Sequence, residues 1–434
     1  MLTILVALLA FYLAWNLGAN DVANAMGTSV GSKAITLKQA LVIAGVLEFT
    51  GAILFGHEVS KTLATDIANP ELFANAPQLL VAGMISVLIA CGLWLQIATS
   101  RGLPVSSSHA VVGAIAGFSW VALGFGGIDW SSIGIITIGW VITPVISGII
   151  AVLLYSQVKR WILDQPNQLI QLNEWIPWLS VVLLSIFGVI VLPSLTQPVT
   201  NLLIIKLGIN IPNHDLPLLV GAIAAFSISI YNWQQLETSQ QNSSPLSPSS
   251  SLSTPHSPLP TPLEKIFAKY QLLSACFVAF AHGSNDVGNA IAPLAAIVYV
   301  SKTGSVPGDD ITIPVWILIL GGAGIVFGLA VFGKKVITTI GESIIPLQPS
   351  SGFCAELACA TTILLASRFG LPVSTSHALV GGVVGIGLVQ NPKSVQFKTL
   401  QGIALAWLVT IPISAILSAV IFSVLSNVSL IPKM

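Results

Sequence analysis

Two short segments put a carboxylate and two amides into otherwise apolar sequence: Asn20-Asp21-Val22-Ala23-Asn24 and Asn285-Asp286-Val287-Gly288-Asn289. Asn20 and Asn24 are spaced i, i+4, as are Asn285 and Asn289, so each pair shares one face of a helix. Asp and Asn oxygens are hard ligands suited to Na+ or another small cation. A carboxylate near the bilayer centre costs about 2.5–3.5 kcal/mol even on a lenient insertion scale, so two equivalent copies call for compensation. The flanking glycines, Gly18 and Gly27, Gly283 and Gly288, are expected to let the helix break there and offer backbone carbonyls. One such motif could be a helix cap in a loop, but its recurrence argues for a cation site at Asn20, Asp21, Asn24, Asn285, Asp286 and Asn289.

A second pair of motifs is rich in hydroxyls. Pro104-Val105 precedes Ser106, Ser107, Ser108 and His109, and Pro372-Val373 precedes Ser374, Thr375, Ser376 and His377. Proline followed by Ser or Thr and a small apolar run reads as a helix start. A helix N-terminus carries unpaired N–H groups and the positive end of the dipole, so it suits an anion, and the hydroxyls add donors. Ordinary N-capping explains one serine in each motif but not two buried hydroxyl triplets.

Together the motifs set a chemical condition. An oxyanion held near Asp21 and Asp286 is repelled unless cations lie between them or a proton neutralises one partner, so such a site demands joint transport of anion and cation. Glu48 and Glu356, both inside apolar segments, are further candidates to face the same interior and hold a cation. His57, His109, His282 and His377 form no i, i+4 histidine pair, so no transition-metal site is expected, and His109 and His377 should orient their neighbours. Adjacent Ser108 and His109 do not make a triad. No P-loop, kinase motif set or G-x-S-x-G is present, which argues against an enzyme or an ATP-driven pump. Cys91, Cys276, Cys354 and Cys359 lie in apolar stretches without C-x-x-C spacing and read as core residues.

The elements that position these residues must be membrane spans. Of 434 residues, 54% are hydrophobic and 7% charged, and a soluble domain of this size could not cover itself with so few charges. The net charge of +0 and the lack of a basic run exclude the usual nucleic-acid binder. Continuous apolar runs, rather than alternation, exclude a β-barrel. The expectation is an all-α polytopic membrane protein with about twelve segments, at 2–17, 38–56, 79–98, 106–126, 133–155, 176–193, 214–231, 268–290, 312–333, 352–367, 374–390 and 400–426. The run 199–211 could instead be a short interfacial helix.

The chain also repeats itself. The N-D-x-x-N motifs, the P-V-S motifs and the pair Trp140/Trp407 recur in one order at offsets of 265, 268 and 267. The first repeat occupies 1–160 and the second 264–434, with connecting spans at 161–237 and a Ser/Pro-rich linker at 238–263 that cannot bury apolar surface. Equivalent segments lie an odd number of spans apart, so the repeats should be inverted, with broken helices meeting at the midplane. With the N-terminus outside, eleven of the sixteen lysines and arginines fall in cytoplasmic loops. The positive-inside rule then places both termini outside the cell membrane and the linker in the cytoplasm.

At these motifs the sequence resembles the inorganic phosphate transporter (PiT) family. Gly18–Thr36 and Ala281–Pro293 are close to its signature, both G-L-P-V-S-[ST]-S-H-A motifs match, and the resemblance spans both halves. Gly288, where the family usually has Ala, and Ser108 and Ser376, where Thr is frequent, are conservative departures. The resemblance implies a symporter bringing inorganic phosphate into the cell with a cation, Na+ favoured over H+, and a homodimer in lipid. It places phosphate ligands at Asp21, Asp286, Ser106, Ser107, Ser108, Ser374, Thr375 and Ser376, and important membrane glutamates at Glu48 and Glu356. The alternative is a sulfate permease of the same fold. Phosphate can donate a hydrogen bond to Asp21 or Asp286, and sulfate cannot. An anion channel would need a continuous polar pore, against which the apolar spans argue.

Overall fold

The computed structural model describes residues 2–207, 214–241, 261–308, 311–340, 345 and 347–427. The first repeat contains α1 (Leu2–Gly31), α2 (Leu37–Thr65), α3 (Pro77–Ser100), α4 (Ser107–Leu123) and α5 (Trp130–Val158). A connecting unit follows, α6 (Gln168–Ile190), α7 (Leu192–Leu207) and α8 (Asp215–Gln241). The second repeat is α9 (Pro262–Thr303), α10 (Val315–Ile340), α11 (Pro349–Arg368), α12 (Thr375–Gln390) and α13 (Phe397–Asn427). The twelve expected segments map onto twelve of these helices, and α7 takes the place of the short helix suspected at 199–211. Nine helices among the described residues are long and apolar enough to cross a membrane, and the chain is a multi-pass membrane protein. Most of the expected linker, residues 242–260, lies outside the described residues, as do the last residues, 428–434.

Local sequence sets the ends of these elements. Thr36 and Gln39 form a reciprocal capping box that starts α2, and Asp129 accepts from the N–H groups of Ser131 and Ser132 to start α5. Ser106 and Ser374 cap α4 and α12 alike, each accepting from the histidine N–H three residues on, at 3.4 Å. Gly102 and Gly370 take φ of +67° and +66°, a left-handed conformation that lets the chain leave α3 and α11 and turn towards the next helix.

The expected helix breaks at the N-D-x-x-N motifs do not occur: α1 and α9 run through both motifs without interruption. Gly18, Gly283 and Gly288 serve close packing instead. A Cβ on Gly18 would overlap the Ile325 carbonyl of α10, and one on Gly283 would overlap the Glu48 carbonyl of α2. Reciprocally, Gly51 abuts the Phe280 carbonyl and Gly328 the Trp15 carbonyl. The interruptions lie in the helical hairpins, at 101–106 between α3 and α4 and at 369–374 between α11 and α12.

These contacts also fix direction. Along α1, Phe11, Trp15 and Val22 meet Gly324, Gly328 and Gly333, so α1 runs parallel to α10. Phe280, Val287 and Gly288 meet Gly51, Gly56 and Val59, so α9 runs parallel to α2. Because α2 turns back from α1 through a short loop, α1 and α9 are antiparallel and the repeats are inverted. The outer helices are exchanged as well: α4 packs on α13, and α12 on α5. One side of α5 presents Ile135, Ile138, Ile142, Val145 and Ile149 outward, as a lipid-facing helix should.

Candidate functional site

The inverted packing brings the two polar motifs together. Ligand atoms of Asp21, Asp286 and His282 all lie within 4.8 Å of one another, and all three residues are buried. The hairpin tips close over this group from the two repeats. Thr375 donates to Asp286 Oδ2 at 3.2 Å. Asn24, from the other repeat, reaches Thr375 Oγ1 at 3.5 Å, Ser376 Oγ at 3.2 Å and Asp21 Oδ1 at 3.1 Å. The mirror contact is Asn289 to Ser107 Oγ at 3.4 Å. Ser107 is thus held by the asparagine of the opposite repeat, as are Thr375 and Ser376. The two helix N-termini, at Ser107 and Thr375, therefore meet beside two carboxylates.

Other expected residues make contacts outside this group. Asn20 and Asn285 turn to the hairpins: Asn20 donates to Thr99 Oγ1 at 2.8 Å, and Asn285 to Ser367 Oγ at 3.0 Å and the Leu371 carbonyl at 3.1 Å. Ser108 spends its hydroxyl on the Val373 carbonyl at 2.7 Å, tying the tips together. Glu356 is fully buried and filled by neutral donors: Thr28 and Ser29 at 2.6 Å, Ser274 at 2.7 Å and Gln271 at 3.1 Å. These four donors fasten the end of α1 and the first third of α9 to α11.

His282 is the residue that the search for histidine pairs missed. Its Nε2 lies 2.9 Å from Asp286 Oδ2, one turn along α9, and its Nδ1 3.2 Å from Glu48 Oε1 on α2. All three side chains are sealed from solvent. These are close contacts rather than aligned hydrogen bonds, since neither ring nitrogen has a hydrogen-bond partner. Spacing i, i+4 from Asp286 was the available signal. The contact with Glu48, from a distant part of the chain, was not visible. His109 and His377 do orient neighbours: their Nδ1 atoms meet the backbone carbonyls of Trp407 at 3.2 Å and Trp140 at 3.0 Å.

The arrangement can hold small hard cations at carboxylate and amide oxygens while presenting hydroxyls and two helix N-termini to an anion. Asp21 Oδ2, Asp286 Oδ1, Asn285 Oδ1 and Asn289 Oδ1 are buried acceptors without a hydrogen-bond donor, as cation ligands would be. Inverted repeats that join two such half-sites inside a membrane fold define a secondary transporter.

The chain belongs to the Phosphate transporter family, whose family model matches residues 17–418. It is 40% identical over 425 residues to the chloroplastic inorganic phosphate transporter 2-1 of Arabidopsis thaliana, covering 95% of this chain and 70% of that one. The solved structure titled "The sodium-dependent phosphate transporter" matches with a TM-score of 0.82 and 35% identity, covering 99% of this chain and 100% of that one.

Proposed function

We propose that the chain is a secondary active transporter that carries inorganic phosphate into the cell together with a cation, Na+ in preference to H+. The observation that carries this reading is the convergence of two carboxylates, with orphaned acceptor oxygens, on two hydroxyl-bearing helix N-termini. An anion there needs cations beside it, so neither ion is well held alone. Asp21, Asn24, Asp286, Asn289 and the unpartnered Oδ1 of Asn285 are the cation ligands in this reading. Ser107, Thr375 and Ser376, with the N–H groups at the starts of α4 and α12, are the phosphate donors. Ser106 and Ser374 act as caps that shape the two cradles, Ser108 as a tie between them, and Asn20 and Asn285 as links from the cation site to the hairpin turns. Glu48 balances His282, and Glu356 is a positioning residue. Family membership and the sodium-dependent relative support phosphate and Na+.

In the same reading both termini face outward, as the distribution of basic residues favours, and the transporter works as a homodimer in the lipid bilayer. Phosphate binding to purified protein, measured with and without Na+ and in competition with sulfate, tests the assignment. Phosphate should bind tightly only with Na+ present, and sulfate should compete weakly. Equal competition by sulfate would favour the sulfate permease instead.

A further inference from the structure

The two repeats are equivalent in sequence but are not in the same state. Trp140 donates to the Pro372 carbonyl at 3.0 Å, whereas its counterpart Trp407 has a buried indole N–H without an acceptor. Pro104 is the residue that would supply one. Asn285 holds both Ser367 and the Leu371 carbonyl, whereas Asn20 holds Thr99 and goes no further. A Cβ on Gly370 of the second turn would meet Thr62 and the Glu58 carbonyl of α2, whereas a Cβ on Gly102 of the first turn would meet nothing within 4 Å. Leu103 is 40% exposed, and Leu371 is only half-buried. Asn285, Asp286 and Asn289 are 0% exposed, against 4%, 1% and 6% for Asn20, Asp21 and Asn24. A cavity of about 420 Å³, lined among others by Tyr12, Asn16, Gln96, Thr99 and Ser100, lies on the first-repeat side and reaches the hydroxyl that Asn20 holds.

We infer that this cavity is the vestibule through which phosphate and its cations reach the site, and that the α3–α4 turn is its gate. The gate is unseated here, while the α11–α12 turn is seated and seals the opposite route. Seating the first turn would give Trp407 the Pro104 carbonyl and Asn20 the Leu103 carbonyl. Unseating the second would release Trp140 from Pro372 and Asn285 from Leu371. The vestibule lining carries no charged side chain: beside Trp15, Ala19 and Phe332 it offers the hydroxyls and amides of Tyr12, Asn16, Gln96, Thr99 and Ser100. That suits ions of either sign in transit, with no fixed charge to trap one of them. This inference rests on the transport reading above and adds the route and the residues that switch it.

The test uses the full chain in nanodiscs, with the four native cysteines replaced by alanine and a single reporter, Leu103→Cys or Leu371→Cys. The labelling rate with a small soluble maleimide is read for each. Trp140→Phe removes a bond of the present state, so it should speed labelling at position 371 and slow it at 103. Trp407→Phe removes a bond of the mirror state and should do the reverse. A single hydrogen bond shifts the ratio of rates by about threefold to tenfold. Gly370→Ala and Gly102→Ala form a second pair with matched left-handed strain. The first places a Cβ 3.0 Å from Thr62 Oγ1 and should act as Trp140→Phe does, and the second should act as Trp407→Phe does. Opposite shifts in either pair support the gate. Shifts of the same sign, or none, in both pairs overturn it. Labelling needs no phosphate, so its failure would leave the substrate assignment standing, and failed phosphate uptake would leave the labelling ratio informative.

Discussion

His282 Nε2 lies 2.9 Å from Asp286 Oδ2, and although the same ring comes within 4.8 Å of Asp21, α1 carries no histidine of its own one turn before Asp21. By the repeat offset of 265, the counterpart of His282 is Leu17. The matching glycine contacts pair Glu48 with Ile325. Asp286 therefore belongs to a buried acid–base–acid cluster, with His282 on its own helix and Glu48 on α2 of the first repeat, where the corresponding positions beside Asp21 are Leu17 and Ile325. Asp286 Oδ2 has the His282 ring at 2.9 Å, whereas Asp21 Oδ2 is buried without a hydrogen-bond donor.

Replacing His282 by Leu should leave Glu48 and Asp286 facing each other unpaired in the interior. Breaking a buried pair from one side costs about 3–5 kcal/mol. The expected outcome is a marked fall in thermal stability, partly restored in the double variant His282→Leu with Glu48→Ile, which copies the first repeat. Thermal unfolding of the purified protein decides it. Equal stability of all three proteins would remove the cluster from the account.

The asymmetry also separates the two aspartates. Asp21→Asn and Asp286→Asn preserve size, and each should lower phosphate uptake at least about tenfold, which is about 1.4 kcal/mol. Asp21→Asn should in addition raise the Na+ concentration needed for half-maximal uptake, since the His282 ring pairs closely with Asp286 and not with Asp21. Sodium titrations of both variants, at matched membrane expression, would refute this if the two curves coincide with that of the parent.

Much of this site was legible in the sequence, and its failures have physical causes. The N-D-x-x-N and P-V-S motifs declared themselves because polar residues in apolar runs are expensive and here occur twice. Their convergence followed from the repeat parity. What could not be read was partnership across the fold: that Glu48 meets His282, or that Thr28, Ser29, Gln271 and Ser274 fill Glu356. Gly18 and Gly283 were misread because glycine permits both a helix break and a close helix contact, and only the neighbouring helix decides between them.

Glu356→Gln should act on stability rather than on coupling. Its carboxylate accepts four side-chain hydrogen bonds, and an amide would turn two N–H donors towards donors. A loss of about 1–3 kcal/mol is expected, with the Na+ dependence of the remaining uptake unchanged. Denaturation curves and a sodium titration check both halves, and a shifted sodium curve would make Glu356 a cation ligand.

The anion cradle predicts a graded series. Ser107→Ala and Thr375→Val each remove a hydroxyl aimed at the shared site, worth about 1.5–3 kcal/mol towards a charged acceptor. Phosphate affinity at saturating Na+ should fall about ten- to a hundredfold. Ser119→Ala should change it little, because Ser119 bonds the Ile115 carbonyl of its own helix. Binding by isothermal titration compares the three, and affinities all within about twofold of the parent would move the anion elsewhere.

The central claim, that one site binds phosphate and a cation together and carries them as a pair, is tested most directly by uptake of labelled phosphate into proteoliposomes. The measurement compares an inward Na+ gradient with equal Na+ on both sides. The account predicts phosphate accumulation above its external concentration only while the gradient lasts, and none when K+ replaces Na+. Accumulation indifferent to Na+ would contradict it.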